Sequence, residues 1–563
     1  MKTVTHGGSE VNRSRHQQWQ RPLRAEAHAA FEILLREGFS ERKAAESLGL
    51  ARSTVQSWRA HAGSLDSTSE LVSFLESPTG LAFLQQLTHA LHLVFVELGG
   101  CGIRLVCKFL ALTRLDRFVA SSYESQRRLN VEIENSIVDF GRRERERLAS
   151  KMPEKDITVA QDETFTSGLT LVAIEPESGY ILLEEPASSR DAESWKAAMD
   201  KACAGFNCRI IQSTSDEAKG LIAYAESLLG VQHSPDLFHV QQELSRGVSP
   251  PLSAKLRAAE RQVEGANASL AEAEQAARDY LKNIEERGPG RPPDLKKAIE
   301  EAKHLVRASE TEVEKLKALK DKVTENIKGL GNDYHPVDLK SGKRCDGSII
   351  SEKLQKRIDS IRAIAESEGL VEHSLKRIDK AERVLPKMAD TIDFVSNYVR
   401  QEVQKLGLTH AEAHAFHAKL LPAGYLDRLA GKTSKQDGQE LREKAIQIIE
   451  PLYAEDAVFA NWTLTAREGL KLEAERLARV FQRSSSSVEG RNGVLSFRNH
   501  GLRGIPTRKR QCLTVLHNFF IERGDGTTAA ERFFGDRPGD LFQEILAKVD
   551  VPRRPRSPAL KVA

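Results

Sequence analysis

The chain has 563 residues, enough for three or more domains that each bury a core of their own. Its 83 Lys and Arg nearly balance 80 Asp and Glu, and the net charge of +3 is too small to establish a nucleic-acid partner by itself. Six cysteines (Cys101, Cys107, Cys203, Cys208, Cys345 and Cys512) form no C-x-x-C pair, which argues against a zinc site or a disulfide framework and fits a reducing compartment.

Residues 1–20 are polar without periodicity and are expected to be disordered. From Arg24 a helical period begins, with Ala30, Phe31, Ile33, Leu34 and Leu35 apolar and Gly38 as a stop. Ser40 can cap a second helix over 41–48, and Gly49 supplies a tight turn. A third helix over 52–60 turns Val55 and Trp58 inward and Arg52, Ser53, Thr54, Gln56 and Arg59 outward. The small pair Ala44 and Ala45 lets two helices cross closely. Over 24–62 this is the pattern of a helix-turn-helix, with the third helix sized for a major groove. An ordinary three-helix unit is the simpler alternative.

Residues 64–68 read as a linker, and 69–150 as helical. The apolar stretch 81–112 is interrupted by Glu97, Arg104 and Lys108, so it is expected to be a buried helix and not a membrane span. Segments 102–110 and 116–128 allow a second helix-turn-helix or a plain bundle. The Arg-Glu alternation over 142–147 reads as a solvated helix face.

The period then changes. Residues 157–165 read as a strand, and 168–174 and 180–184 as a hairpin turning at 176–179. A helix over 191–204 turns Trp195, Ala198 and Met199 inward. A strand over 207–212, a helix over 217–229 and a short strand over 231–233 follow. The order βββαβαβ describes a ribonuclease-H-like core, an antiparallel meander extended by parallel strands with crossover helices. That core is expected over 156–244 and 480–535, interrupted by an all-helical insertion over 251–475. The insertion opens with a hairpin of long helices, 251–286 and 294–329, reversed at Gly288-Pro289-Gly290-Arg291-Pro292-Pro293. Gly290-Arg291-Pro292 also has the form of an AT-hook centre, although chain reversal explains it more simply. Residues 513–521 form an apolar helix, and 550–563 a basic, Pro-rich tail. The expected fold is multidomain and mostly α, with an α/β ribonuclease-H-like core, an N-terminal helix-turn-helix and a large all-α insertion.

Three acidic residues stand out by placement. Asp162 ends the first β-type run, Asp216 follows the fourth and opens a helix, and Glu489 lies about 270 residues later in a Ser- and Arg-rich turn beside Arg483, Arg491 and Arg498. Carboxylates carried to one point by strand ends and a helix can hold two divalent ions for phosphoryl chemistry. The competing reading is turn or cap service for the aspartates and a surface ion pair for Glu489. Glu163 and Glu217 follow the aspartates directly and are expected to point elsewhere. His239 is either a hydrogen-bonded core residue or an auxiliary group at the site. Arg491, Asn492, Arg498, His500, Arg503, Arg508, Lys509 and Arg510 form a basic stretch suited to a DNA backbone.

Four segments carry a family likeness: Gln161-Asp162-Glu163-Thr164, Ser215-Asp216-Glu217, Asp236-Leu237-Phe238-His239 and Ser487-Val488-Glu489-Gly490-Arg491-Asn492. With the closing segment 526–535, they make the chain resemble a DDE-type transposase of the ribonuclease-H-like, retroviral-integrase superfamily. The nearest likeness is to transposases of bacterial insertion sequences with a helical insertion before the last acid. It covers 25–60 and 157–535. The resemblance implies metal-dependent nicking and strand transfer at the ends of a mobile element. It makes Asp162, Asp216 and Glu489 catalytic and metal-binding, with Asp162 bridging two Mg²⁺ ions for which Mn²⁺ can substitute. It implies double-stranded DNA as partner (element ends and target), a homo-oligomer assembled on DNA, no membrane partner, and a bacterial cytoplasmic, nucleoid-associated location. Arg52, Ser53, Thr54, Gln56 and Arg59 would read the ends, and Arg491, Asn492, Arg498, Arg503, Arg508 and Lys509 would hold backbone. The hairpin would organise the assembly. A catalytically retired, sequence-specific DNA-binding regulator is the alternative of another class.

Overall fold

The computed structural model describes residues 21–62, 69–165, 168–283, 285, 290–291, 293–502 and 504–551. The expectations for 1–20, for the linker 64–68, for Arg503, for most of the 286–292 turn and for the tail beyond 551 fall outside the described residues. The chain divides into two units. The first comprises 1–153, 205–207 and 494–563, and the second 154–204 and 208–493. Most described residues are helical, and one five-stranded mixed sheet lies in the second unit.

The first unit opens with α1 (Arg21–Arg36), α2 (Glu41–Ser47) and α3 (Arg52–Ala62). Phe31, Ala44, Ala45 and Val55 form their shared core, with Leu34, Leu35, Leu48 and Leu50 packed against it. The Ser40 hydroxyl accepts from Lys43 N at 3.4 Å and starts α2. Gly38 (φ +93°) and Gly49 (φ +66°) make the two left-handed reversals that only glycine adopts without strain. Trp58 stays half-buried.

Next come α4 (Ser69–Leu75), α5 (Pro78–Leu91) continuing as a π-helical segment (His92–Leu98), α6 (Ile103–Leu112) and α7 (Tyr123–Ala149). The apolar stretch expected as one helix is broken at 99–102, where Gly100 takes φ +71°. Pro78–Leu98 is long and apolar enough to cross a membrane, but 56% of that window is buried within the protein. The helix expected over 116–128 starts later. Arg114 adopts a left-handed φ of +58°, a short 3₁₀ turn (Leu115–Arg117) follows, and Ser122 caps α7 through Ser125 N at 3.2 Å. At 27 residues α7 is a long core helix burying Leu129, Ile133, Ile137 and Phe140. The 142–147 run lies on its exposed and half-exposed side, as expected.

The second unit is built on β1 (Lys155–Phe165), β2 (Leu169–Glu175), β3 (Tyr180–Pro186), β4 (Cys208–Ser215) and β5 (Gln232–Pro235), in the order β3-β2-β1-β4-β5. The β1/β2 and β2/β3 pairs are antiparallel, while β1/β4 and β4/β5 are parallel. Connections α8 (Ala192–Cys203) and α9 (Lys219–Ala223), the latter continuing as a π-helical segment, precede β4 and β5 respectively.

The break expected between core and insertion is absent. Helix α10 (Leu237–Lys282) runs 46 residues from the end of β5 straight through Pro250 and Pro251. An interior proline costs about 3 kcal/mol. Leu244, Val248 and Leu252 are buried on both sides of the pair, and each contributes roughly 1.5–3 kcal/mol, which offsets that cost. Helix α11 (Leu295–Asp333) returns along α10, and Leu256, Ala259, Val263, Val313 and Leu316 form a seam between them.

Seven more helices follow: α12 (Gly347–Ser367), α13 (Glu372–Glu382), α14 (Leu385–Lys405), α15 (His410–Ala415), α16 (Leu421–Ala430), α17 (Lys435–Ile449) and α18 (Leu464–Ala478). They share one hydrophobic core with the base of α10 and α11, and Ile211 of β4 packs against it. Helix α19 (Ser486–Leu502) begins in the second unit. Helices α20 (Thr507–Phe519), α21 (Ala529–Phe534) and α22 (Leu541–Lys548) complete the first.

Candidate functional site

Sheet register does most of the assembly. On the parallel β1/β4 ladder Ala160 faces Thr214, so two residues further along each strand Asp162 is level with Asp216. On β4/β5 Thr214 faces Ser234, which brings Asp236 level with Asp216. Three aspartates on three adjacent parallel strands are therefore level with one another, Asp216 and Asp236 just past the ends of β4 and β5. Asp162 does not end its strand: β1 continues to Phe165, and Asp162 also pairs with Val172 of β2. Glu163 points away, to Arg190 (3.1 Å) and the Trp195 indole (3.4 Å).

Two helix starts bring the remaining groups. Asp236 caps α10, its Oδ1 accepting from Phe238 N at 2.8 Å, while its Oδ2 accepts from the Ser485 hydroxyl. The Ser485 carbonyl in turn accepts from Val488 N (2.8 Å) and Glu489 N (3.1 Å), and Leu237 N donates to the Arg483 carbonyl at 3.0 Å. The beginnings of α10 and α19 are thus stitched together, which places His239 and Glu489 side by side. His239 Nε2 lies 3.7 Å from Glu489 Oε1 and 3.9 Å from Asp236 Oδ2. Ligand atoms of Asp236, His239 and Glu489 all fall within 4.8 Å of one another. Three residues on from Glu489, and so on the same helix face, Asn492 Nδ2 donates to Asp162 Oδ2 at 2.8 Å.

The carboxylates act on one another. Burial pushes Asp162 up to about 6, the Asp216 charge adding to this, while hydrogen bonds from Glu163 N and Asn492 and the nearby His239 oppose it. Glu489 is raised by burial, then by the charges of Asp236 and Asp162, against His239. Such mutual repulsion marks a site that a cation would relieve. Asp236, His239 and Glu489 are the group whose ligand atoms lie close enough to meet on one ion, and the charges of Asp162 and Asp216 act beside them. Among the described residues, His239 Nε2 and Asn492 Oδ1 are buried without hydrogen-bond partners. A cleft of about 680 Å³ opens beside the cluster, lined by Asp216, Asp236, His239, Arg190, Lys219 and Lys380 among others.

Asp162, Asp216 and Glu489 are therefore brought together, with His239 and a fourth acid, Asp236. Asp236 was legible only as a landmark. Its signal was a carboxylate at a strand end followed three residues later by His on a new helix.

The basic stretch around Glu489 is largely engaged within the protein. Arg491 is 6% exposed and grips Glu184 of β3 through Nε (2.5 Å) and Nη2 (3.0 Å). In the first unit, buried Arg498 donates to the carbonyls of Glu97 and Leu98, Lys509 meets Glu97 (2.6 Å) and Glu134 (3.4 Å), and Arg508 meets Glu134 (2.7 Å). Arg510 is also buried. Arg483 donates to the carbonyls of Gly331 and Tyr334 and approaches His335, so it does not flank Glu489. Within each unit these cations answer acids and carbonyls, and Asn492 serves Asp162. In α3, Arg52 (3.2 Å), Gln56 (2.9 Å) and Arg59 (3.0 Å) all converge on Glu41, while Ser53 is exposed and Thr54 half-buried.

A family model described as a family of unknown function, DUF6399, matches residues 416–560. That span includes Glu489 and Asn492 but not Asp162, Asp216 or Asp236. No curated protein and no solved structure matches the chain.

Proposed function

We propose that this chain is a DNA strand-transferring enzyme, a DDE-type transposase acting at the ends of a mobile element, built on a ribonuclease-H-like core. The observation that carries it is the level alignment of Asp162, Asp216 and Asp236 across adjacent parallel strands, with Glu489 brought in beside Asp236 by α19. The sheet order β3-β2-β1-β4-β5, with an antiparallel meander on one side and parallel strands on the other, supports the same reading.

Asp162, Asp216, Asp236 and Glu489 would hold two Mg²⁺ ions, with His239 at the rim. When bound, such ions activate the attacking oxygen and stabilise the leaving 3′ oxygen of a phosphodiester. The chain's own groups supply the rest. Asn492 holds the Asp162 carboxylate in orientation, and Ser485 holds that of Asp236. His239, facing Glu489 and the cleft, is placed to carry a proton near the reacting phosphate. The test is nicking and strand transfer by purified protein on DNA carrying the element's ends, with Mg²⁺ and with EDTA. Activity indifferent to EDTA would reject the reading.

In the same reading α1–α3 form the helix-turn-helix that reads the ends. Because Glu41 occupies Arg52, Gln56 and Arg59, it competes with DNA for them. Glu41→Ala is expected to strengthen duplex binding several-fold. Arg59→Ala is expected to weaken binding to all sequences and flatten its salt dependence, and Gln56→Ala to reduce preference for the ends. Fluorescence anisotropy on end and non-end duplexes separates these effects. Tighter binding absent from Glu41→Ala would show that α3 does not face DNA.

The hairpin is assigned to assembly. At about 1.5 Å per residue α10 reaches on the order of 70 Å, far beyond the core that holds its base. Replacing 264–312 by a short Gly-Ser linker keeps most of the seam and removes the tip. The shortened protein is expected to nick single ends at the wild-type rate and to lose paired-end joining. Efficient joining of two ends by that protein would remove the assembly role.

A further inference from the structure

A second charged locus lies in the helical part of the second unit, at the loop before α12 and the helices α14 and α15. Arg344 is half-buried against an apolar wall and lines a small cavity with Val395, Val399 and Leu421. Among the described residues no hydrogen bond or ion pair engages its guanidinium. His417, in the π-helical segment that follows α15, is half-buried, and its Nδ1 is enclosed without a hydrogen-bond partner. Val399 precedes Arg400 of α14 and Leu421 follows His417 by about one turn, so the Arg344 cavity adjoins both; Arg400 and His414 of α15 are exposed, and Arg400 spends one N–H on Asn397 at 3.1 Å.

The electrostatics of this locus run in one direction. Burial, followed by Arg344, Arg400 and His414, brings His417 down to about 4. Burial and then Arg400 lower Arg344. Among the described residues no carboxylate acts on either group. Elsewhere in this unit half-buried and buried arginines meet acids, as Arg357 meets Asp333, Arg362 meets Asp379 and Glu382, and Arg491 meets Glu184. A half-buried cation left beside like charge is a cost to the free protein, and such costs persist where a ligand supplies the missing charge.

We propose that Arg344, Arg400, His414 and His417 form an anion site for a phosphate group, occupied in the working complex by a backbone phosphate of DNA. The assignment of DNA as the source rests on the function proposed above; the phosphate chemistry rests on the four side chains. Arg344 and Arg400 offer planar forks for a phosphate, and His417 Nδ1 and His414 add ring nitrogens. The site is built from residues other than those of the carboxylate cluster, so it binds without cleaving.

Two measurements on the full chain test it, both in EDTA so that the carboxylate site is inactive. First, the salt dependence of binding to a duplex of arbitrary sequence is compared for wild type, Arg400→Gln and the Arg344→Gln/Arg400→Gln double variant. Loss of this one phosphate contact in the double variant should reduce the log–log slope by about 1. Second, inorganic phosphate at constant ionic strength should raise the melting temperature of wild type relative to chloride, and not that of the double variant. In chloride the double variant should melt at or above the wild-type temperature, because a repelled cation is gone; a merely structural role predicts a lower one. An unchanged slope with an unchanged phosphate response overturns the site. A lost phosphate response with an unchanged slope overturns DNA as its occupant and makes that a small phosphate compound. Failure of nicking in the assay above, with the slope reduced as expected, would count against the enzyme and not against this site.

Discussion

Asp162→Asn protein is expected to fold, to bind duplex, and to lose at least about 10³-fold in Mg²⁺-dependent nicking, since metal-assisted charge stabilisation supplies several kcal/mol and each 1.36 kcal/mol is tenfold. The same change carries a stability signature. The folded-state value of Asp162 is raised to about 6 by burial and then by Asp216, above the ordinary 3.8 of an unfolded chain. A raised acid binds its proton more tightly when folded, so metal-free stability falls as pH rises from about 4 through about 6 and stays low above that. Asn carries no proton to lose, so the metal-free variant should show a flatter pH profile in that window. Mg²⁺ should raise the melting temperature of wild type increasingly as pH climbs through the window, and raise that of the variant less. Unfolding curves at pH 4, 5, 6 and 7 with Mg²⁺ or EDTA decide it. Wild-type nicking by Asp162→Asn would remove the central acid from the mechanism, whatever the thermal result.

Arg491→Met is expected to cost about 3–5 kcal/mol, the usual consequence of leaving one charge of a buried pair without its partner. Glu184 is fully buried within β3, and both its carboxylate oxygens are taken by Arg491. Register across β1, β2 and β3 sets Asp162, Val172 and Glu184 level, so this pair pins α19 to the sheet beside the site. The variant should therefore lose both stability and nicking. Arg491→Met with Glu184→Leu should recover most of the stability, because two apolar groups of similar size replace an expensive pair. Urea unfolding gives the comparison. A variant as stable as wild type but weak in DNA binding would return Arg491 to the role its sequence neighbourhood suggested.

How far the chain could be read depended on how local each feature is. The strands were legible because a two-residue alternation and glycine turns are local signals, and Asp216 came with them as a strand-end acid, whereas Asp162 lies inside β1, which runs on to Phe165. The α1–α3 unit was legible for the same reason: Ser40, Gly49, Ala44 and Ala45 set caps, turns and close approach inside a span of forty residues. The break expected between a core ending at 244 and a hairpin opening at 251 falls inside α10, which runs through Pro250 and Pro251. Only the large helical core shows that burying Leu244, Val248 and Leu252 outweighs the two missing hydrogen bonds.

The composition of the site was decided by tertiary structure. Asp236 reads as a helix cap until the β4/β5 register brings it level with Asp216, and Glu489 has no sequence link to either until Ser485 and Arg483 tie α19 to the start of α10. The arginines went the other way. In sequence they crowd Glu489, but a helix turns successive side chains about 100° apart, so Arg491 faces Glu184 while Asn492 faces Asp162. Sequence alone determined which residue types were present and which elements would carry them. The partner of each charge followed from which faces pack, and that is a property of the folded chain.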